Sequence, residues 1–220
     1  MKRLKFFSAA FCAIAIYAGY AGPLAAQSSV EVNVLKVEGL VVGVPQKIDA
    51  DFAAEHGVAV PKPFHFTIPT DRTKNIKVLP APGGTGIFKV SFATENDQLR
   101  SNLQFIPFTL GDGTDEERLN GMARVVQQVF GNAVVDPNRA EINVTRPTEI
   151  GPYKAVKAIG RYAEADDTMV ALRVVAVIEE GAGDGLIAII NALPKTTGMT
   201  KVGDIIYVDG SRTLGTMRFE

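Results

Sequence analysis

Thr168 to Glu179 (TMVALRVVAVIE) is almost continuously apolar and rich in β-branched residues. A strand with one face in water alternates apolar and polar positions, whereas a strand covered on both faces does not. The run therefore predicts a central strand held between two layers, and any fold for this chain must supply both. It lies within a longer stretch, Tyr153 to Leu193, of three apolar segments divided by Glu164-Ala165-Asp166-Asp167 and by Gly181-Ala182-Gly183-Asp184-Gly185. Both dividers read as hairpin turns, so the three segments form the middle of an antiparallel sheet.

Upstream, Ser28 to Val44 alternates and then turns apolar, which predicts one strand and a second joined near Gly39. Asp49 to Val60 carries a short helix signal, with Asp49 or Asp51 as cap and Gly57 as stop. Pro61 and Pro63 mark a linker with a boundary near residue 62. Strands are expected at Phe64 to Ile68, Gly86 to Ala93 and Asn102 to Thr109. A charged loop spans Asp71 to Lys77, and a turn cluster spans Leu79 to Gly84. In the second of these strands Ile87, Lys89 and Ser91 alternate with Phe88, Val90 and Phe92, giving one apolar and one wet face. Pro107 places the third at a sheet edge.

The clearest helix spans Asp115 to Phe130. Thr114 and Glu117 have capping-box spacing, Gly131 stands where a left-handed terminator belongs, and Leu119, Met122, Val126, Val129 and Phe130 form one apolar face. Asp136-Pro137-Asn138 is a turn, and Glu141 to Thr145 begins a strand that leads through Gly151-Pro152 into Tyr153 to Tyr162. Leu186 to Leu193 is a strand ended by Pro194. In the tail, Ile205 to Val208 reads as strand, and a helix is favoured over the second half, where Ile206, Thr213, Leu214 and Met217 can share a face.

The N-terminus fixes the expected compartment. Lys2, Arg3 and Lys5 precede an apolar stretch, Phe6 to Ala18, and Pro23-Leu24-Ala25-Ala26 offers small residues to a signal peptidase, so cleavage is expected after Ala26. An uncleaved anchor is the competing reading, but Gly19, Gly22 and Pro23 break the run before the roughly 20 residues a spanning helix needs. Phe11 before Cys12 argues against a lipoprotein. Processing removes the only cysteine and leaves 194 of 220 residues, so neither disulfides nor thiolate chemistry can hold or equip the chain. The full-chain charge of −1 includes +3 from Lys2, Arg3 and Lys5, which puts the processed chain at −4 with both signs interspersed. No nucleic-acid footprint is expected from that balance. The expected layout is a signal peptide (1–26), a β-rich N-terminal extension (27–62) and an α+β domain (63–220).

From Phe64 onward the order is short strands, one long helix, a run of antiparallel strands and a terminal helix closing on Thr213-Leu214-Gly215-Thr216-Met217-Arg218-Phe219. This layout resembles the PsbP-like superfamily, which includes the extrinsic photosystem subunit, the Ran-binding nuclear import factor and small bacterial envelope proteins. The resemblance implies an α/β/α sandwich with an antiparallel sheet, used for docking or assembly.

The glycines from Gly181 to Gly185 suggest a phosphate loop, but Leu186 stands where its third glycine belongs and a strand follows, so a hairpin turn is favoured. Asp112, Asp115, Glu116 and Glu117 could ligate calcium, yet acidic residues in a first helical turn already complement the helix dipole. Glu164, Asp166 and Asp167 read as a solvated turn. His56 and His65 have no partner at a metal spacing. Lys62, Arg72, Lys74 and Lys77 could meet an acidic partner or a lipid surface, with a solvated loop as the simpler reading. No Gly-x-Ser-x-Gly, His-Glu-x-x-His or Ser-x-x-Lys occurs. No catalytic, cofactor-binding or metal-binding residue is therefore assigned.

The leading expectation is an exported periplasmic accessory or binding protein of the cell envelope that docks a protein partner. The alternatives are a small-molecule or lipid carrier, with an apolar pocket between helix Asp115 to Phe130 and the sheet, and an enzyme of unrecognised type. Membrane association is possible but not indicated.

Overall fold

A computed structural model describes residues 43–70, 75–80, 86–134 and 136–220, with the backbone alone for 75–80. The expected signal peptide (1–26), the strand signal over 28–42 and the positions of Arg72 and Lys74 lie outside the described residues.

The elements in chain order are β1 (Gly43–Ile48), α1 (Ala50–His56), β2 (Phe64–Pro69), β3 (Asn75–Pro80), β4 (Phe88–Ala93), β5 (Leu99–Thr109) and α2 (Asp115–Ala133). They continue with β6 (Ala140–Ile150), β7 (Tyr153–Ala163), β8 (Met169–Ile178), β9 (Asp184–Ala192), α3 (Pro194–Thr197), α4 (Asp209–Gly215) and β10 (Arg218–Phe219). Tight 3-10 turns occupy Pro137–Arg139 and Val202–Tyr207. Seven strands form one sheet in the order β3-β4-β5-β9-β8-β7-β6, and β1-β2-β10 form a second. Every pairing is antiparallel.

The apolar run does what its composition demands. In β8, Val170, Leu172, Val174, Ala176 and Ile178 join a core with Met122, Val126, Val129 and Phe130 of α2. The alternate residues Ala171, Val175 and Val177 join a second core, built with Phe64, Phe66 and Ile68 of β2, Ile205, and Leu214 of α4. The molecule is therefore an α+β sandwich of three layers. One outer layer is the single helix α2, and the other combines the small sheet with α1, α4 and the 202–207 turn. Residues 43–61 belong to this outer layer, since β1 pairs with β2 along its length and Phe52, Val58 and Val60 pack on the second core.

Local signals explain the helices. Asp49 caps α1 by accepting from the Asp51 and Phe52 amides, and Gly57 closes it at φ 63. At α2 the Thr114 hydroxyl accepts from the Glu117 amide while the Glu117 carboxylate accepts from the Thr114 amide at 2.7 Å. Removing the box with Thr114→Ala should cost about 1 kcal/mol in a urea titration. The same hydrogen bonds hold the Glu117 carboxyl below its ordinary value, and backbone amides of Phe52 and Lys201 do the same, first among their causes, for Asp49 and Asp204. A carboxyl whose folded pKa is depressed stabilises the fold above its unfolded pKa, and that contribution is lost as the pH falls through the folded value. Thermal stability should hold from neutrality to the ordinary carboxylate values of 4.5 and 3.8 and decline below them.

Five expectations are corrected. The charged loop over Asp71 to Lys77 and the turn cluster from Leu79 both overlap β3, which pairs with β4 from Asn75↔Ala93 to Pro80↔Phe88. An edge strand needs only one partner, so polar and proline residues are tolerated there. Pro107 is not on an edge strand, because β5 lies between β4 and β9. β4 pairing ends at Phe88↔Phe105, however, and the Ile87 amide donates to the Phe105 carbonyl. Residue 107 directs its nitrogen to that same side, beyond the end of β4, where no donor is needed. Gly131 does not terminate α2, which continues to Ala133 because Ala133 and Val134 bury against the sheet. Ile205 to Val208 is not strand, since Ile205 lies in the 3-10 turn and is buried in the second core. The expected tail helix is α4, with Thr213, Leu214 and Met217 buried but Ile206 exposed, and Phe219 then pairs with Phe64.

Candidate functional site

The helix α2 packs chiefly on β7 and β8, so the same face of the sheet is less covered towards β5 and β4. Register shows what lies there. Gln104 of β5 pairs with Ile189, and Asn191 of β9 pairs with Leu172, both of them in the α2-side core. Lys89 lies opposite Gln104, Ser91 opposite Asn102, and Asn102 opposite Asn191. The part of the face beyond α2 is thus a polar strip on β4, β5 and β9, as an uncovered antiparallel face should be.

At one end of this strip lies a shallow open groove with a cavity volume of about 30 Å³. Lys89, Asn102, Gln104 and Asn191 lie beside Tyr162 and Glu164, with Leu99, Val170 and Leu193 as apolar lining. Asn102 and Gln104 are each only 6 % exposed. The Asn191 amide nitrogen donates to Asn102 Oδ1 at 3.3 Å, and its own Oδ1 is buried with no hydrogen-bond partner. A buried amide oxygen without a donor costs free energy that a ligand N–H would recover.

Burial lowers the pKa of the half-buried Lys89 ammonium, and among the described residues no carboxylate pairs with it. Burial raises the Tyr162 hydroxyl far above its ordinary value, with the charge of Glu164 and the hydrogen bond to it adding to the effect. Tyr162 is therefore a fixed donor rather than an acid. Amide donors and acceptors, one desolvated cation and an apolar rim suit an extended peptide with an acidic side chain.

The predicted candidates lie elsewhere and are largely occupied. Gly181 (φ 77) turns the β8–β9 hairpin, as the turn reading required. Asp115 pairs with Lys154 at 2.5 Å and Arg118 at 3.6 Å, while Glu117 is engaged in the capping box. Asp166 accepts from the Thr168 amide in the β7–β8 turn, and Asp167 pairs with Arg139. His56 packs on the Phe52 ring, and His65 lies 3.9 Å from the Glu220 carboxylate. Lys62, for which a solvated loop is the simpler sequence reading, pairs instead with Glu179 and sits 4.9 Å over the Phe219 ring. Lys77 lies in β3. Among the described residues no three His, Cys, Asp or Glu side chains group together as for a metal ion.

The carrier alternative needs an apolar pocket between α2 and the sheet, and side chains fill most of that interface. Met122, Val126 and Phe130 are at most 1 % exposed, and the Phe130 ring reaches the floor at Gly160, where an added Cβ would lie 2.6 Å away. The depression at the N-terminal end of the helix has apolar lining from Leu119, Met122 and Ile178 inside a charged border of Asp115, Arg118, Lys154, Glu179 and Glu180, but its cavity volume of about 10 Å³ is too small for an acyl chain. Among the described residues no helix is long and apolar enough to cross a membrane.

No protein-family model matches the chain, and no curated protein matches its sequence. Solved structures do. PsbP (CyanoP) from Synechocystis sp. PCC 6803 matches with TM-score 0.51 and 11 % identity, covering 84 % of this chain and 98 % of that one. LpqN of Mycobacterium tuberculosis, described as involved in cell envelope biogenesis, matches with TM-score 0.48 and 11 % identity over 80 % and 90 %. With its antiparallel sheet, long covering helix and closing aromatic strand, the chain has the PsbP-like fold.

Proposed function

We propose that the protein is a non-catalytic docking module of the cell envelope that holds an extended segment of a protein partner in the groove between β4, β5, β9 and the β7–β8 turn. The observation that carries this reading is the buried amide floor beside a desolvated lysine, a set of groups suited to a peptide backbone and an acidic side chain. Export rests on the basic and apolar leader, Lys2 to Ala26. The partner's carboxylate lies against Lys89, and its backbone amides meet Asn191 and Gln104.

A photo-crosslinking residue at Leu99, on the rim, should trap one protein in the producing cells, and the same group at Gln127, on the exposed side of α2, should not. Lys89→Glu should cut the adduct at least about tenfold, the effect of losing roughly 1.4 kcal/mol. No adduct at Leu99, or identical adducts at both positions, would overturn the reading.

A further inference from the structure

Arg173 breaks the apolar run of β8, and it does so on the face away from α2. It pairs in register with Ile159 of β7 and Ile190 of β9, and Ala171 and Val175 flank it along its own strand. All four are in the second core. The side chain is 7 % exposed, and its Nε is buried without a hydrogen bond. Desolvation alone lowers its pKa to about 10, with no acidic neighbour opposing it. A buried charge is ordinarily paired, because the desolvation it suffers is otherwise uncompensated.

The surroundings deepen the anomaly. Lys157 lies one step along β7 and diagonally across from Arg173, and Arg146 of β6 stands directly opposite Lys157. Side chains opposite one another on a sheet have Cβ atoms about 5 Å apart, and diagonal neighbours are about 7–8 Å apart, so the three cations share one surface. Burial lowers the Lys157 pKa first, and the charges of Arg146 and Arg173 lower it further. The acid next along this face, Glu141, is taken by Arg161 at 2.8 Å. Like charges opposite one another destabilise a sheet. Three cations with no anion among the described residues form a site that lacks its counter-charge.

We infer that Arg173, Lys157 and Arg146 bind an oxyanion, a carboxylate or a phosphate, on the sheet face opposite the groove. Arg173 offers a planar fork with several donors for two oxygens, and Lys157 and Arg146 supply the outer charge. The inference is independent of the docking groove, since the two sites lie on opposite faces and share no residue.

Thermal melting in chloride buffer with added inorganic phosphate or acetate at matched ionic strength tests it. At 100 times the dissociation constant, binding should raise Tm by about 5–10 °C. The double variant Arg146→Gln/Lys157→Gln, at exposed and half-exposed positions, should fold normally and weaken binding at least tenfold. Arg173→Met should lose the response and, in chloride alone, melt no lower than the unsubstituted protein, because an uncompensated buried charge is gone. A response to phosphate alone assigns the ligand as a phosphate, a response to acetate as well admits a carboxylate, and either upholds the site. Equal melting in all anions, or a response that the double variant retains, would overturn it.

Discussion

Replacing Phe88 with alanine should lower stability by about 3–5 kcal/mol, the range for removing a fully buried aromatic ring. Phe88 is completely buried, and it stacks on Phe66 at 5.3 Å and nearly parallel, with Phe105 at 5.4 Å, Phe52 at 5.9 Å and Phe64 at 6.2 Å. These rings come from α1, β2, β4 and β5, so Phe88 joins the small sheet and α1 to the main sheet. A cavity there opens between layers that cannot close on it without sliding. Tm should fall by about 6–20 °C at this chain length, while Tyr207→Ala, at a 67 % exposed side chain, should leave it within about 2 °C.

The second large effect is expected at Gly160. A Cβ there would lie 2.1 Å from the Glu141 carbonyl oxygen and 2.6 Å from the Phe130 ring, closer than any real contact. The β6–β7 ladder shifts register between Ile142 and Val144, next to the Ile142↔Gly160 pair, so strand and helix both press on this position. Gly160→Ala should cost about 1–3 kcal/mol, read by urea denaturation. Combined with Phe130→Leu, it should cost less than the two single changes summed, because the shorter side chain gives way to the new methyl. Strict additivity would show that α2 does not sit where the structure places it.

The parts of the fold legible in the sequence are those whose signal is local. The two-sided burial of β8 is written in its unbroken apolar run, and the capping box of α2 needs only Thr114 and Glu117. The β7–β8 and β8–β9 hairpins follow from their turns. What was missed depends on distant partners. β10 has two residues, too few for any periodicity, and exists because β2 offers an edge. β3 hides in a charged, proline-bearing segment that satisfies the needs of an edge strand alone.

The same reason conceals the candidate site. The wet face of β4 was visible as Lys89 and Ser91, but the meaning of Asn102, Gln104 and Asn191 appears only when β5 pairs with β9, a contact between residues far apart in the chain. Arg173 is inconspicuous in the sequence because one charged residue scarcely disturbs the composition of its run. Its significance comes from its neighbours across β7 and β6.

Residue-resolved hydrogen exchange tests most directly the claim on which the architecture rests, that β8 is the doubly covered centre and the strand edges are its periphery. The amides of Val170 to Ile178, together with those of Leu186 to Ile190, should exchange last and only through global unfolding, while those of the two edge strands β3 and β6 exchange earlier through local opening. Exchange of the β8 amides at the rate of the edge strands would contradict the account.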